Sequence, residues 1–426
     1  GVGMTLRDEA LKLHLDNNGK LEVHSKVALK DGHDLALAYT PGVAEPCKDI
    51  KVNPELSFEY TCRGNMVAIC TDGTRVLGLG NIGPRAAMPV MEGKAVLFKG
   101  FGDVDAVPVC IDETDAEKFI TIVKALQPNY SGINLEDIQS PKCYDIEDRL
   151  KKELEVPVFH DDQHGTAIAC LSAVLGALRL VKKELKTAKI VVNGCGAAGT
   201  AIGRLLVNMG AENVIMMLHH GVLCEGCDNH GRPLDRVQEA LSHTTNKNKE
   251  QGTLADIARG ADVLIGVSAP GVFTPEIIKS MAKDAIVFGL ANPVPEVMYD
   301  VAKAAGARVA GTGRSDSPNQ VNNVIVFPGV FRGAIDVRAK EINEAMKIAA
   351  VYAISGLIED KDLREDYVIP AAFDPRVAPA VAAAVAKAAM ETGVARIQVD
   401  PEDVRKKTAE RLARNKRIDE AAAKVK

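Results

Sequence analysis

The stretch at residues 189–199, KIVVNGCGAAG, decides the fold of this chain. Its apolar first half predicts a short buried strand, and Gly194, Gly196 and Gly199 follow with the spacing GxGxxG. Where such a turn joins a strand to a helix, the first glycine allows the tight turn and the second lets backbone N–H groups approach a phosphate. The third allows close helix–strand contact, and the helix N-terminus adds partial positive charge. The stretch predicts a site for the pyrophosphate of a dinucleotide, although a tight turn without a ligand would have the same pattern.

Strands and helices alternate along the chain after this turn. The pattern predicts a helix at residues 200–209, closed by Gly210, and further strands at 214–218, 262–267 and 285–288. Short connections between alternating strands and helices are typical of a parallel sheet covered by helices. We therefore predict an α/β fold whose dinucleotide domain is a Rossmann-type parallel sheet.

The region before the turn has the pattern of a second α/β domain. Short apolar runs predict strands at residues 66–70, 95–98, 107–111 and 155–159, and residues 115–126 have the apolar spacing of a helix. These elements predict an N-terminal α/β substrate and metal domain.

Helices dominate the rest of the chain. An apolar helix is predicted at 166–181, and because it lacks a polar face we expect it to pack between domains. Alanine-rich and charged stretches at 381–390 and 401–426 predict a C-terminal helical tail, which packs on the first domain or on a partner subunit. The predicted divisions are residues 4–165, 166–370 and 371–426.

The composition excludes several classes of function. The chain has 426 residues, a net charge of −5 and a pI of about 6.1, so no strong positive field holds nucleic acid or an anionic membrane. We find no run of about 18 apolar residues, which argues against a membrane span. The 9 cysteines, an odd number, suggest a reducing cytosol rather than a disulfide framework, so we predict a cytoplasmic protein.

Two acidic pairs are candidates for a metal site. Glu136-Asp137 and Asp161-Asp162 lie on two loops. Carboxylate oxygens from two loops suit a hard cation such as Mg²⁺ or Mn²⁺. Acidic pairs on loops are more often solvated surface charge, so the pattern alone leaves both interpretations open.

Four other polar residues are candidates for chemistry. Lys94 precedes the predicted strand at 95–98, where loss of hydration would lower its pKa and make it a base; the alternative is a side chain that extends to solvent. Tyr39 lies at a turn and also suits a half-buried packing role. Asn292 follows the carboxyl end of a strand, where ligands bind in open α/β sheets, and Asn323 precedes an apolar run. Both asparagines also suit plain turn positions.

Two features bear on cofactor choice and on a second metal. The strand at 214–218 is followed by two histidines, without the acid that usually binds the ribose hydroxyl, so the sequence favours NADP over NAD. Cys224, Cys227 and His230 could form part of a zinc site. A second CxxC is missing, and a loop with free thiols is the favoured interpretation.

Taken together, these motifs resemble the malic enzyme family in its short form, without an appended acyltransferase-like domain. The resemblance runs from about Gly19 to Arg396. The matching stretches are 39–49 (YTPGVAEPCKD), 77–99 (LGLGNIGPRAAMPVMEGKAVLFK), 134–137 (NLED), 159–167 (FHDDQHGTA), the glycine turn, 291–293 (ANP) and 373–380 (FDPRVAPA).

The resemblance implies a role for each matching residue. Lys94 would be the general base, Asp161 the carboxylate that holds and tunes it, and Tyr39 the general acid. The implied ligands of Mg²⁺ or Mn²⁺ are Glu136, Asp137 and Asp162. Substrate would be contacted by Asn292 and Asn323 and, as in some members of the family, by Arg75. The implied cofactor-binding residues are Gly194, Gly196, Ala197, Ala198, Gly199 and Asn292.

The implied activity is oxidative decarboxylation of L-malate to pyruvate and CO₂ with reduction of NAD or NADP, in a homodimer. One alternative is a malolactic-type enzyme on the same scaffold, which keeps its cofactor and releases lactate. Another, from a different class, is a catalytically silent nucleotide-binding regulator. The presence of Lys94, Tyr39 and all three metal-ligand positions argues against the regulator.

Overall fold

The computed structural model describes residues 3–227 and 231–425. Its strands form two separate sheets. The strands are β1 (Met66–Thr71), β2 (Asp105–Cys110), β3 (Gly132–Leu135), β4 (Val158–His160), β5 (Ile190–Asn193), β6 (Val214–Leu218), β7 (Gly221–Val222), β8 (Val263–Gly266), β9 (Ile286–Gly289) and β10 (Val309–Thr312).

Helices connect and flank the strands. They are α1 (Leu6–Asn17), α2 (Gly32–Ala38), α3 (Ala44–Val52), α4 (Ser57–Tyr60), α5 (Gly83–Gly102), α6 (Ala116–Leu126), α7 (Lys142–Glu153), α8 (Thr166–Val181), α9 (Ala197–Asn208), α10 (Arg236–Ser242), α11 (Leu254–Ala258), α12 (Pro275–Lys279), α13 (Tyr299–Ala304), α14 (Phe327–Asp336), α15 (Glu344–Ser355), α16 (Val377–Glu391) and α17 (Pro401–Val425). Short 3₁₀ turns lie at Pro54–Leu56, Cys62–Asn65, Leu77–Leu79, Gln127–Asn129, Asn323–Ile325 and Asp360–Asp362, and a π-helical turn lies at Asp161–Gly165.

The first sheet has four parallel strands in the order β2-β1-β3-β4. The strands predicted at 66–70, 107–111 and 155–159 are confirmed as β1, β2 and β4, with bounds shifted by up to three residues. In the pairing of β3 with β4, Leu135 lies beside His160, and each is the last residue of its strand. The two acidic loops therefore leave the same edge of the sheet at adjacent points.

The second sheet has six strands in the order β10-β9-β8-β5-β6-β7, and only β7 is antiparallel to its neighbour in the described part of the chain. The chain runs from β5 to β6 on one side and later returns to β8 on the other side of β5. The glycine turn after β5 thus lies where the strand order reverses, which is where open α/β sheets bind ligands. This arrangement confirms the predicted Rossmann-type sheet.

The predicted strand at residues 95–98 is wrong, because these residues lie within α5. Met91, Ala95 and Phe98 are spaced three or four residues apart and lie on the buried face of that helix. A run of four apolar residues fits a helical turn as well as a strand, and only the longer spacing separates the two. Lys94 is therefore a helix residue.

The apolar helix α8 is confirmed and lies mostly inside the protein, with eleven buried residues. Together with the preceding π-helical turn it forms the segment Asp161–Val181, which by length and composition alone could cross a membrane. The segment is longer than the apolar helix predicted at 166–181, because it begins with the polar turn Asp161–Gly165. Because 72% of its apolar window is buried, packing in the protein core accounts for this composition.

The two ends of the chain pack differently. Helices α1 to α4 have no buried residues, and apolar side chains such as Leu6, Leu15 and Val23 are exposed there. At the other end, α17 is anchored to the first half of the chain. Arg411 Nη1 lies 3.1 Å from Asp103 Oδ2, and Asn415 Nδ2 donates to Asp103 Oδ1 at 2.9 Å.

Candidate active site

Lys94 lies between two carboxylates at the edge of the first sheet. Its Nζ donates to Asp161 Oδ2 at 2.5 Å and lies 3.0 Å from Glu136 Oε2, and it sits 3.9 Å from the centre of the Phe327 ring. Burial alone would lower the pKa of Lys94, but the negative charges of Asp161 and Glu136 outweigh burial and raise it. The predicted lowering of this pKa is therefore wrong, because the lysine is surrounded by acids rather than by an apolar strand.

Glu136, Asp137 and Asp162 form a compact oxygen cluster beside this lysine. One ligand atom from each lies within 4.8 Å of the others, and this is the one such group found among the described residues. Burial, followed by the charge of Asp162, raises the pKa of Asp137 to about 8, and burial raises the pKa of Glu136 well above its usual range. Asp137 Oδ2 is buried without a hydrogen-bond partner in the described structure. Clustered acids with an unpartnered buried oxygen fit a divalent cation.

Asp162 differs from its two neighbours because donors surround it. Its Oδ2 accepts from the backbone N–H of Asp137 at 2.8 Å and from His160 Nε2 at 3.0 Å. Burial alone would raise its pKa, but the hydrogen bond from His160, the charge of Lys94 and the hydrogen bond from the Asp137 backbone lower it below its usual range. Asp162 is therefore an anion under ordinary conditions.

Asn323 and Gly165 hold Asp161 in place. The Nδ2 group of Asn323 donates to Asp161 Oδ2 at 2.9 Å and to Thr166 Oγ1 at 3.1 Å. On the other side of the carboxylate, a Cβ added to Gly165 would lie 1.9 Å from Asp161 Oδ1. Only a glycine leaves room for the carboxylate at this position, and Asn323 belongs to the same cluster as Lys94.

The other predicted substrate and acid residues lie outside these contacts. Arg75 is exposed, and its backbone N–H donates to the carbonyl of Asp137 at 3.1 Å, which places it beside the cluster. Asn292 is exposed after β9, and a Cβ on Gly313 would lie 3.4 Å from its Oδ1. Tyr39 follows α2 with 67% of its surface exposed, and no side-chain contact joins it to the cluster in the described structure.

The glycine turn has the shape that the sequence predicts. Gly194 has φ +128°, and a Cβ on it would lie 2.5 Å from the carbonyl oxygen of Val267. A Cβ on Gly199 would lie 1.9 Å from the carbonyl oxygen of Gly194, whereas Gly196 faces open space. No side chain caps α9, which begins at Ala197 and continues through Ala198, so its first N–H groups suit an anionic ligand.

Two side-chain contacts join α9, the helix that follows the glycine turn, to residues near the carboxylate cluster. Tyr144 Oη lies 3.2 Å from Thr200 Oγ1, and Arg204 Nη2 donates to Gln163 Oε1 at 2.8 Å. Both Thr200 and Arg204 belong to α9, whereas Gln163 follows Asp162 directly. The predicted cofactor and metal residues are therefore parts of one region.

Two features near the second sheet concern the cysteines and histidines that the sequence analysis considered. Cys224 and Cys227 form a disulfide, so the predicted free thiols are wrong at this loop; His230 lies outside the described residues. The other seven cysteines are free. No acid follows β6, and the rings of His219 and His220 lie 4.6 Å apart.

The sequence analysis missed Glu296, which is fully buried. Its Oε2 accepts from the backbone N–H of Ser268 at 2.8 Å and from Ser268 Oγ at 2.9 Å, and its Oε1 accepts from Ala291 N–H at 2.9 Å. Gly266, at the end of β8, makes room for it, because a Cβ there would lie 2.4 Å from the carboxyl carbon. Glu296 thus joins the loops after β8 and β9 and supports the loop of Asn292.

Comparison with known proteins identifies the class. Residues 18–151 match the family model described as malic enzyme, N-terminal domain, and residues 163–390 match malic enzyme, NAD binding domain. The dinucleotide-type sheet and the acidic cluster occur here in a chain whose family consists of oxidoreductases that use NAD or NADP. The chain belongs to the malic enzyme family, as the motifs of the sequence implied.

Individual relatives cover most of the chain. It is 57% identical to the bifunctional malic/malolactic enzyme of Bacillus subtilis, over 95% of this chain and 98% of that protein. It is 49% identical to the NAD-dependent malic enzyme of Geobacillus stearothermophilus (92% and 81%) and 46% identical to the NADP-dependent malic enzyme of Escherichia coli (92% and 53%). Among solved structures, malic enzyme from Pyrococcus horikoshii has a TM-score of 0.92 at 47% identity, with 96% of each chain covered.

Proposed function

We propose that this chain oxidises and decarboxylates L-malate to pyruvate and CO₂ while reducing NAD or NADP. The observation that carries the proposal is the position of Lys94, which contacts Asp161 and Glu136 beside three clustered carboxylates. A 2-hydroxy acid offers a hydroxyl and a carboxylate that such a centre can bind. The adjoining glycine turn would hold a dinucleotide in the same region.

Lys94 takes the proton of the C2 hydroxyl, and a nicotinamide cofactor held at the glycine turn would accept the hydride from C2. A cation held by Glu136 and Asp162 would offset negative charges that raise the pKa of Lys94, which would allow its neutral amine to act as the base. Asp161 orients the amine, and Asn323 in turn holds Asp161. After CO₂ leaves, Tyr39 delivers a proton to C3 of the resulting enolate. Because no described side-chain contact joins Tyr39 to the cluster, this step requires Tyr39 to approach it, either within one subunit or from a second subunit.

Glu136, Asp137 and Asp162 are the residues that would hold Mg²⁺ or Mn²⁺. An ion held there would supply positive charge to stabilise the enolate oxygen that forms during decarboxylation. Arg75 and Asn292 take part in binding the substrate, Arg75 through a carboxylate. Gly194, Gly196, Ala197, Ala198 and Gly199 bind the cofactor pyrophosphate, and Asn292 contributes to the same site.

The organisation of the protein forms part of the proposal. Residues 4–165 form the substrate and metal domain, residues 166–370 the dinucleotide domain, and residues 371–426 the helical tail. The exposed apolar side chains of α1 to α4 support a homodimer, because surfaces of this kind are usually covered by a partner. The seven free cysteines support a cytoplasmic location.

Malolactic conversion is the second candidate, and the 57% identity to a bifunctional malic/malolactic relative favours keeping it. We propose NADP as the preferred cofactor because no acid follows β6. NAD is the alternative, since the names of relatives include both NAD-dependent and NADP-dependent malic enzymes.

Initial rates with L-malate and Mn²⁺, measured side by side with NAD and NADP, test the proposal. We expect pyruvate and reduced cofactor to accumulate in equal amounts, with the faster rate for NADP. Lactate without net reduced cofactor would instead establish malolactic conversion. Binding of NAD or NADP without any turnover of malate would refute both oxidative decarboxylation and malolactic conversion, and it would support a silent regulator. A parallel reaction in EDTA should be inactive if the three carboxylates hold the metal.

A further inference from the structure

A line of four side chains runs from the glycine-turn helix to a carboxylate of the proposed metal site. Arg204 Nη2 donates to Gln163 Oε1 at 2.8 Å. Gln163 Nε2 lies 2.9 Å from His160 Nδ1, and His160 Nε2 lies 3.0 Å from Asp162 Oδ2. His160 and Gln163 are almost completely buried, whereas Arg204 is half-buried. Every link has the length of a good hydrogen bond.

The chemistry of Arg204 sets the direction of every bond in this line. A guanidinium has only donors, so Gln163 must present its oxygen to Arg204 and its NH₂ to His160. An NH₂ group only donates, so His160 Nδ1 must be an acceptor, which leaves the ring proton on Nε2. That proton then points at Asp162 Oδ2. Without a fixed donor at the outer end, the amide of Gln163 could turn over and the imidazole could take its other tautomer.

The line determines how Asp162 is held. Its Oδ2 already accepts from the backbone N–H of Asp137 at 2.8 Å, and His160 adds a second bond to the same oxygen. Two donors on Oδ2 restrict the rotation of the carboxylate, and the side chain remains 32% exposed. The opposite tautomer of His160 would place a lone pair against this oxygen and would repel it.

We propose that Arg204, acting through Gln163 and His160, is a positioning residue that fixes the tautomer of His160 and so orients Asp162 for metal binding. This inference rests on the proposed metal site. It gives α9 an indirect part in shaping that site, because Arg204 acts only through Gln163 and His160.

The first test replaces the donor at the outer end of the line. Arg204→Met removes it, whereas Arg204→Lys keeps a group that only donates and should rescue the wild-type behaviour. Titration of the full-length protein with Mn²⁺, followed by electron paramagnetic resonance, should give a dissociation constant about 10-fold higher for Arg204→Met, within the range for residues that orient metal ligands. Arg204→Lys should remain within about 2-fold of wild type.

The second test reads the tautomer directly. In protein labelled with ¹⁵N-histidine, wild type should show His160 with an unprotonated Nδ1 and a protonated Nε2. Gln163→Glu replaces the donor to Nδ1 by an acceptor of the same size, so Nδ1 should become protonated and Mn²⁺ should bind more weakly. This variant keeps the inference testable if Arg204→Met fails to fold.

Arg236→Ala is the matched control. Arg236 also joins the cofactor half to α7, through Asp145 and Asp148, but these contacts are exposed and lead to no residue of the cluster. Its Mn²⁺ affinity and the His160 signals should equal those of wild type. Unchanged Mn²⁺ affinity and an unchanged tautomer in both Arg204→Met and Gln163→Glu would overturn this inference but not the proposed metal site. Failure of wild type to bind Mn²⁺ would overturn the proposed metal site and, with it, the inference.

Discussion

Replacing Gly165 by alanine should slow malate oxidation, because the added methyl group displaces the carboxylate of Asp161. A Cβ at this position would lie 1.9 Å from Asp161 Oδ1, whereas real Cβ atoms stay at least 3.0 Å from other heavy atoms, so the carboxylate must move by at least about 1.1 Å. Asp161 would then leave its contacts with Lys94 at 2.5 Å and Asn323 at 2.9 Å. Misplacing a reacting group by about 1 Å costs about 100-fold in rate, so kcat for malate oxidation should fall by about that factor.

Steady-state kinetics and thermal unfolding of the same samples separate lost activity from lost folding. Gly100→Ala is the control, because this exposed helical glycine has no heavy atom within 4 Å of an added Cβ, and kcat should not change. In an Asp161→Ala background the clash is gone, so Gly165→Ala should add no further loss of stability. A Gly165→Ala enzyme with wild-type kcat would refute the reasoning.

Two other changes test the buried lysines. Lys94→Ala should lower malate oxidation by about 10²- to 10⁴-fold, as for loss of a general base, while cofactor affinity is kept; unchanged turnover would remove Lys94 from that role. Burial, followed by the charge of Lys151, lowers the pKa of Lys347 from 10.5 to about 7 in the folded protein. The charged lysine therefore lowers the free energy of unfolding by its full amount below pH 7, and this effect disappears as the pH rises toward 10.5. Lys347→Met should therefore raise the free energy of unfolding more at pH 6 than at pH 10 in urea titrations, and a difference independent of pH would contradict this.

The dinucleotide sheet could be predicted because its signals are local. The strand, the three glycines and the helix after them follow one another within about twenty residues, and each glycine meets the steric need that the spacing implies. The acidic pairs could be predicted as candidates only. Their meeting depends on β3 and β4 being neighbours in register, which sequence separation does not reveal.

The two errors at Lys94 have different physical sources. The apolar run at 95–98 taken alone fits a strand, whereas its spacing with the preceding residues shows that it belongs to a helix. The direction of the pKa shift then depended on partners 42 and 67 positions away, Glu136 and Asp161. Local composition could not predict that two acids would surround the lysine. The link from Arg204 to Gln163 and the place of Glu296 have the same long-range character.

Glu296 has a consequence for how this sequence can diverge. Gly266→Ala alone would drive a methyl group into the carboxylate, and Gly289 is close to the same residue, with an added Cβ 3.3 Å from the Glu296 nitrogen. Glu296→Ala alone would leave the N–H groups of Ser268 and Ala291 without their acceptor. Neither single step is neutral, and changing both residues together would relieve the clash but would still leave the two N–H groups without an acceptor. Mutational libraries at these positions should therefore return survivors that keep both Gly266 and Glu296.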